Sequence, residues 1–164
     1  MAANVSERIS VALSLGGNLI SAVETLPPLN SNFVKFKITF TDGSRLHVSE
    51  DWRAEGLAAY SYYWIASTDA LIIGWDNSPH HPHLANFPHH KHIGQQRSRE
   101  PSYETTLEDV LAIVKDRLSL ALEETAQAEA IKDEREPPRP LGPSTQDQPN
   151  RSEQTSPEKP LPSQ

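Results

Sequence analysis

The chain has 164 residues and a net charge of −7, and its apolar content of 36 % lies below the roughly 45–50 % usual for a globular chain. It has no cysteine, which excludes a disulfide framework and thiolate chemistry, and no apolar run of about 18 residues, which excludes a helical membrane span. The N-terminus has no basic segment followed by an apolar block, so no signal peptide is expected, and the chain is expected to be soluble and cytoplasmic.

Along Ser6–Leu15, the apolar residues Ile9, Val11, Leu13 and Leu15 alternate, which favours a strand. Gly16-Gly17-Asn18 breaks it. Leu19–Leu26 forms a second short run, a strand or a helical turn, that Pro27-Pro28 ends. In Phe33–Thr41, Val34, Phe36, Ile38 and Phe40 point one way and Lys35, Lys37 and Thr39 the other, the pattern of a half-buried strand. Asp42-Gly43 is a hairpin signal leading into Arg45–Asp51, with Leu46 and Val48 inward and Arg45, His47 and Ser49 outward. After a connection over Trp52–Gly56, Leu57–Ser67 and Leu71–Trp75 complete an antiparallel meander of four to five strands.

Asp76–Glu100 contains Pro79, Pro82 and Pro88, too many for a helix or a central strand. It is predicted to be a loop of about 25 residues, a length that usually marks function or disorder. Thr105 then opens a helix, with Glu108 completing a capping box. Leu107, Val110, Leu111, Val114, Leu118 and Leu122 fall on one stripe, expected to pack on the strand face of Val34, Phe36, Ile38 and Phe40. The fold class is therefore α+β, an antiparallel sheet with a C-terminal helix on one face, in one domain over residues 1–123. Residues 124–164 have no aromatic residue, and eight of the chain's 14 prolines lie between Pro137 and Pro162. Such a segment buries too little apolar surface to offset its ordering entropy and is predicted to be a disordered tail.

Six of the seven histidines lie between Asp76 and His92: His80, His81 and His83, then His89, His90 and His92. They form two His-His-x-His copies, each preceded by proline. Three kinds of chemistry fit. In the first, imidazoles act as general acid and base on an RNA phosphodiester without a metal, since both protonation states are accessible near neutrality. His89, His90 and His92 then supply the acid–base pair and Lys91 stabilises charge, with His80, His81 and Asp76 in support and Arg97 and Arg99 holding phosphate. No cofactor is needed. In the second, a transition metal such as zinc is bound by some of His80, His81, His83, His89, His90 and His92, with Asp76 as a further ligand. In the third, the loop docks a partner protein without catalysis. The bland alternative for any one of these histidines is a surface residue or a hydrogen bond that fixes the loop.

Tyr60, Tyr62 and Trp64 share one strand face and Tyr63 takes the other. They read first as core packing, and second, for Tyr60 and Tyr62, as a platform on which an RNA base stacks. Asn77 reads as the residue of an Asx turn. Residues 1–123 hold 10 Lys and Arg against 14 Asp and Glu, so no global basic field draws in nucleic acid. Any RNA contact has to come from a local cluster, to which Lys35, Lys37 and Arg45 could add a phosphate track if the loop folds over their side.

Taken together, Asp42-Gly43-Ser44-x-Leu46, Tyr60-x-Tyr62, Asp76-Asn77-x-Pro79-His80-His81 and Phe87-Pro88-His89-His90-Lys91-His92, followed by a short helix, resemble the TumE-like toxins of bacterial toxin–antitoxin systems. The resemblance spans Leu19–Leu122. It implies a toxin with a DNA-binding antitoxin as partner and, by analogy with RelE-like toxins of similar size and architecture, ribonuclease activity on RNA. It also implies two departures: Gly74 stands where the family commonly shows Arg, and Tyr63 where it often shows His. If either position is catalytic in relatives, this chain is differently tuned.

Overall fold

Four strands follow the alternation that the sequence predicts, and three more extend the sheet beyond it. The structure, a computed structural model, describes residues 4–27 and 32–135. Helix α1 (Val5–Gly16) leads through a short turn into β1 (Ile20–Thr25), β2 (Phe33–Phe40), β3 (Arg45–Arg53), β4 (Gly56–Ile65) and β5 (Leu71–Asp76). Then come β6 (His90–Ile93), β7 (Glu100–Pro101) and α2 (Leu107–Arg135). All neighbouring strands pair antiparallel, in the order of the chain, as one seven-stranded sheet. The α+β class with a C-terminal helix on one face holds.

The two sheet faces differ. Phe36, Val48, Tyr62 and Trp75 stand opposite one another across β2–β5, and so do Ile38, Leu46, Trp64 and Ile73. These side chains and Val34 and Phe40 join Leu107, Val110, Leu111, Val114 and Leu118 of α2 and Ala12 of α1 in one buried cluster. Burying such side chains is worth roughly 1.5–3 kcal/mol each before entropy is counted. The predicted stripe thus holds through Leu118; Leu122 is exposed at its rim beside Thr41 and Asp42. The opposite face carries Lys35, Ser49, Ser61, Asp76 and His90 in one row and Lys37, His47, Tyr63, Gly74 and His92 in the next. No helix covers it.

A buried ion cluster pins both helices to the helix-bearing face. The Arg8 guanidinium donates to both Glu50 oxygens at 2.9 and 3.0 Å and to both Glu108 oxygens at 2.7 and 2.9 Å. Tyr62 Oη and Trp52 Nε1 also donate to Glu50, each at 2.9 Å. All the lone-pair directions of a fully buried carboxylate are thereby occupied, which is the condition for keeping it charged in the interior.

Several local expectations are corrected. Residues 5–16 form a helix, not a strand, because Asn4 and Glu7 make a reciprocal capping box and Val5, Ile9 and Ala12 fall on one helical face. Leu13 and Leu15, part of the apparent alternation, are exposed. The cap of α2 lies one residue later than predicted. Thr106 Oγ1 accepts from the Asp109 N–H at 3.2 Å and Asp109 accepts from the Thr106 N–H at 3.1 Å, while Glu108 turns to Arg8. The predicted tail is helical from 124 to 135, since Ala, Glu, Gln and Lys favour helix without needing an apolar face. The remainder of that tail, 136–164, lies outside the described residues. The long loop is interrupted by β6 and β7.

Candidate functional site

Strand β6 decides the site. His90 pairs with Asp76 and His92 with Gly74 across β5, so both imidazoles project onto the uncovered face. Lys91 and the preceding His89 project the other way. Asn77, Ser78 and Pro79 after β5 carry the chain back over the same face, where the His80 and His81 rings meet the His90 ring edge-on at 4.9 and 5.0 Å. His90 and His92 rings are 5.1 Å apart. Four of the six loop histidines thus converge with Asp76. His83 only touches His81, with ring centroids 5.9 Å apart.

At the centre, His90 Nε2 lies 3.3 Å from Asp76 Oδ1 and His92 Nε2 lies 3.5 Å from Asp76 Oδ2, and all three residues are buried. The other ring nitrogens face backbone carbonyls: His90 Nδ1 is 2.9 Å from Pro88 O, and His92 Nδ1 is 2.9 Å from Gln96 O and 3.1 Å from Ser98 O. A carbonyl only accepts, so both Nδ1 atoms carry the hydrogen and both Nε2 atoms face the carboxylate. Burial works against the charge of Asp76, but hydrogen bonds from Ser78 and the neighbouring His90 and His92 outweigh it and hold its carboxyl below the usual carboxylate range. The Ser78 N–H donates to Asp76 Oδ1 at 3.0 Å, so the Asx turn belongs to Asp76. Asn77 instead continues the β4 ladder: its Oδ1 accepts from the Tyr60 N–H at 2.9 Å and its Nδ2 donates to Ala58 O at 3.0 Å.

His89, assigned by sequence to the acid–base set, and Lys91, assigned to charge stabilisation, are separated from His90 and His92 by the sheet. His89 Nδ1 lies 2.9 Å from Tyr60 Oη. Burial, then nearby carboxylates, push the Tyr60 hydroxyl up, while burial and His90 push the His89 imidazole down. The phenol and the imidazole thus share one hydrogen bond whose direction is set by the His89 tautomer. Lys91 Nζ donates to Glu104 at 3.0 and 3.2 Å, so its charge is already matched. Tyr60 and Tyr62 are buried, Tyr62 on Glu50, and offer no platform for a base. Arg99 is exposed and close enough to lower the His81 imidazole, after burial and His80. Arg97 is exposed with no tie to the cluster among the described residues.

Tyr63 belongs to the site and was placed by sequence only on the far face. Its hydroxyl donates to Asp76 Oδ2 at 3.3 Å. Its ring lies on Gly74, its partner across β4 and β5; a Cβ at Gly74 would meet Tyr63 Cε1 at 2.6 Å. The polarity of Tyr63's neighbours in period two is the signal that could have found it. Beside the cluster the uncovered face holds two hollows, of about 490 and 220 Å³, which share Ser49 and Ser61. Ser61 is the register partner of Asp76, and Lys35 and His47 line the smaller hollow.

The family model described as Toxin TumE matches residues 18–118, more than half of the chain and the whole of this site. The chain belongs to the TumE toxin family. No curated protein and no solved structure matches it. Membership supports a toxin role and points to an antitoxin as partner. Among the described residues no helix is long and apolar enough to cross a membrane. Tyr63 and Gly74 are one feature in space: the ring of the first fills the volume that the second leaves empty.

Proposed function

We propose that this TumE-family toxin is a ribonuclease whose reaction centre is the imidazole–carboxylate cluster on the uncovered sheet face. The observation that carries this reading is the convergence of His80, His81, His90 and His92 on Asp76 from two different chain segments. His80 and His81 stand on the solvent side of the cluster and act on RNA, while Asp76, His90 and His92 lie beneath them. One imidazole takes the proton of a 2′-hydroxyl, whose oxygen bonds to phosphorus. The P–O5′ bond breaks, and the second imidazole gives its proton to the leaving oxygen, so that a 2′,3′-cyclic phosphate remains. Arg99 takes the charge-stabilising role that Lys91 cannot fill from the other side. The hollows beside Ser61, rimmed by Lys35 and His47, receive the rest of the strand, and the antitoxin is a DNA-binding protein whose binding silences this face.

Expression of the full chain tests this. Growth arrest with RNA fragments ending in cyclic phosphate is expected, and His81→Ala lowers cleavage by about 10²–10⁴-fold with the circular-dichroism spectrum unchanged. Arrest with intact RNA would show that the toxin acts on another target.

A further inference from the structure

Two imidazoles and one carboxylate meet at the centre of the cluster. With both Nδ1 atoms donating to carbonyls, both Nε2 atoms turn toward the Asp76 carboxylate, at 3.3 and 3.5 Å. The geometry at His90 is that of a ligand rather than of a hydrogen-bond donor. Its Nε2 is buried and makes no hydrogen bond among the described residues, although Asp76 Oδ1 is near; an N–H there is not aimed at that oxygen.

We propose that Asp76, His90 and His92 bind a single divalent transition metal ion, zinc being the best fit, with the open side of the ion toward the His80–His81 pair. Ligand atoms of the three buried residues lie within 4.8 Å of one another, as do those of His80, His81 and His90. His90 belongs to both groups and joins them. Zinc bonds of about 2.0–2.1 Å in a tetrahedron put ligand atoms about 3.3 Å apart, close to the two separations observed. The outer partners match as well: an imidazole that ligates through Nε2 is held by an Nδ1–H bond to a carbonyl, and both rings have one. Oxygen-only cations such as magnesium do not suit two imidazoles. The ion ties β5 and β6 together and would be held whether or not the chain cleaves RNA.

The full chain, purified without a histidine tag, is stripped of metal and titrated with zinc against a chromophoric chelator, with cobalt absorption as a second readout. One zinc per chain with sub-micromolar affinity is expected, together with an upward shift of the unfolding temperature. Asp76→Asn and His92→Gln should each weaken binding by more than the roughly 10–100-fold that losing an outer partner costs. His83→Ala and His89→Ala should leave it unchanged. If His90→Ala fails to fold, the first two variants decide. Absence of uptake by the folded wild-type chain would overturn the proposal. So would uptake that survives Asp76→Asn and His92→Gln but vanishes when His80, His81 and His83 are replaced, which is surface chelation. Scoring RNA cleavage in parallel separates the two ideas: bound zinc without cleavage removes the ribonuclease, and cleavage by a chain that takes up no zinc removes the metal site.

Discussion

Two pairs of residues one position apart in β6 and its approach live in different chemical worlds. His89 and Lys91 lie on the helix-bearing side of the sheet, where His89 Nδ1 meets the Tyr60 hydroxyl and Lys91 pairs with the Glu104 carboxylate. His90 and His92 lie on the uncovered side, where they share Asp76 and meet the returning His80–His81 segment. Neighbouring residues in one short run therefore divide into a structural set and a candidate reactive set. What divides them is strand parity: successive side chains point to opposite faces, so His89 cannot cooperate with His90 even though they are bonded neighbours.

The contrast between the faces predicts that stability and chemistry separate. The largest stability effect belongs to the helix-bearing face. Arg8→Ala strands the buried Glu50 carboxylate and should cost about 3–5 kcal/mol in urea unfolding. Loss of under about 1 kcal/mol there would mean that Glu50 is solvated and the ion cluster does not pin the helices. On the uncovered face the corresponding perturbation is Gly74→Ala. The added methyl displaces the Tyr63 ring and its bond to Asp76, an overpacking cost of about 1–3 kcal/mol, and RNA cleavage should fall with it. Unaltered cleavage would separate Tyr63 from the site.

The smallest effect expected is on pH dependence. Hydrogen bonds from Arg8 hold the Glu108 carboxyl below its ordinary value of 4.5. The unfolded chain then binds the proton at higher pH than the folded one. Glu108's contribution is complete above about pH 4.5 and is lost as pH falls through the lower folded value. Glu108→Gln should flatten the stability slope below that pH, without changing cleavage at neutrality. An unchanged slope would show that the Arg8 pair does not bias this carboxyl.

What the sequence made legible follows from which signals have a period. β2 to β5 and α2 bury one face each, and their apolar residues recur at two or at three and four, so elements and core face were readable. β6 has no apolar period because its inward partners are a carboxylate on one side and a lysine–glutamate pair on the other, so His90–Ile93 looked like loop. Without that strand, parity was invisible, and His89 and Lys91 were grouped with His90 and His92. α1 was misread because Leu13 and Leu15 alternate with Val11 yet stay in solvent. Residues 124–132 are exposed throughout and show no stripe, so only propensity marks the stretch as helix. The dense histidine run, with Asp76, marked the segment whose side chains cluster in the structure; Tyr63 needed the cross-strand register with Gly74 to be recognised.

An alanine walk along β6 and its approach tests the division most directly: His89, His90, Lys91 and His92 replaced one at a time, with RNA cleavage and folding measured for each. Cleavage is expected to collapse at His90 and His92 and to persist at His89 and Lys91. Equal losses at all four positions, or collapse at His89 and Lys91 with His90 and His92 spared, would contradict the assignment of the reactive centre to the uncovered face.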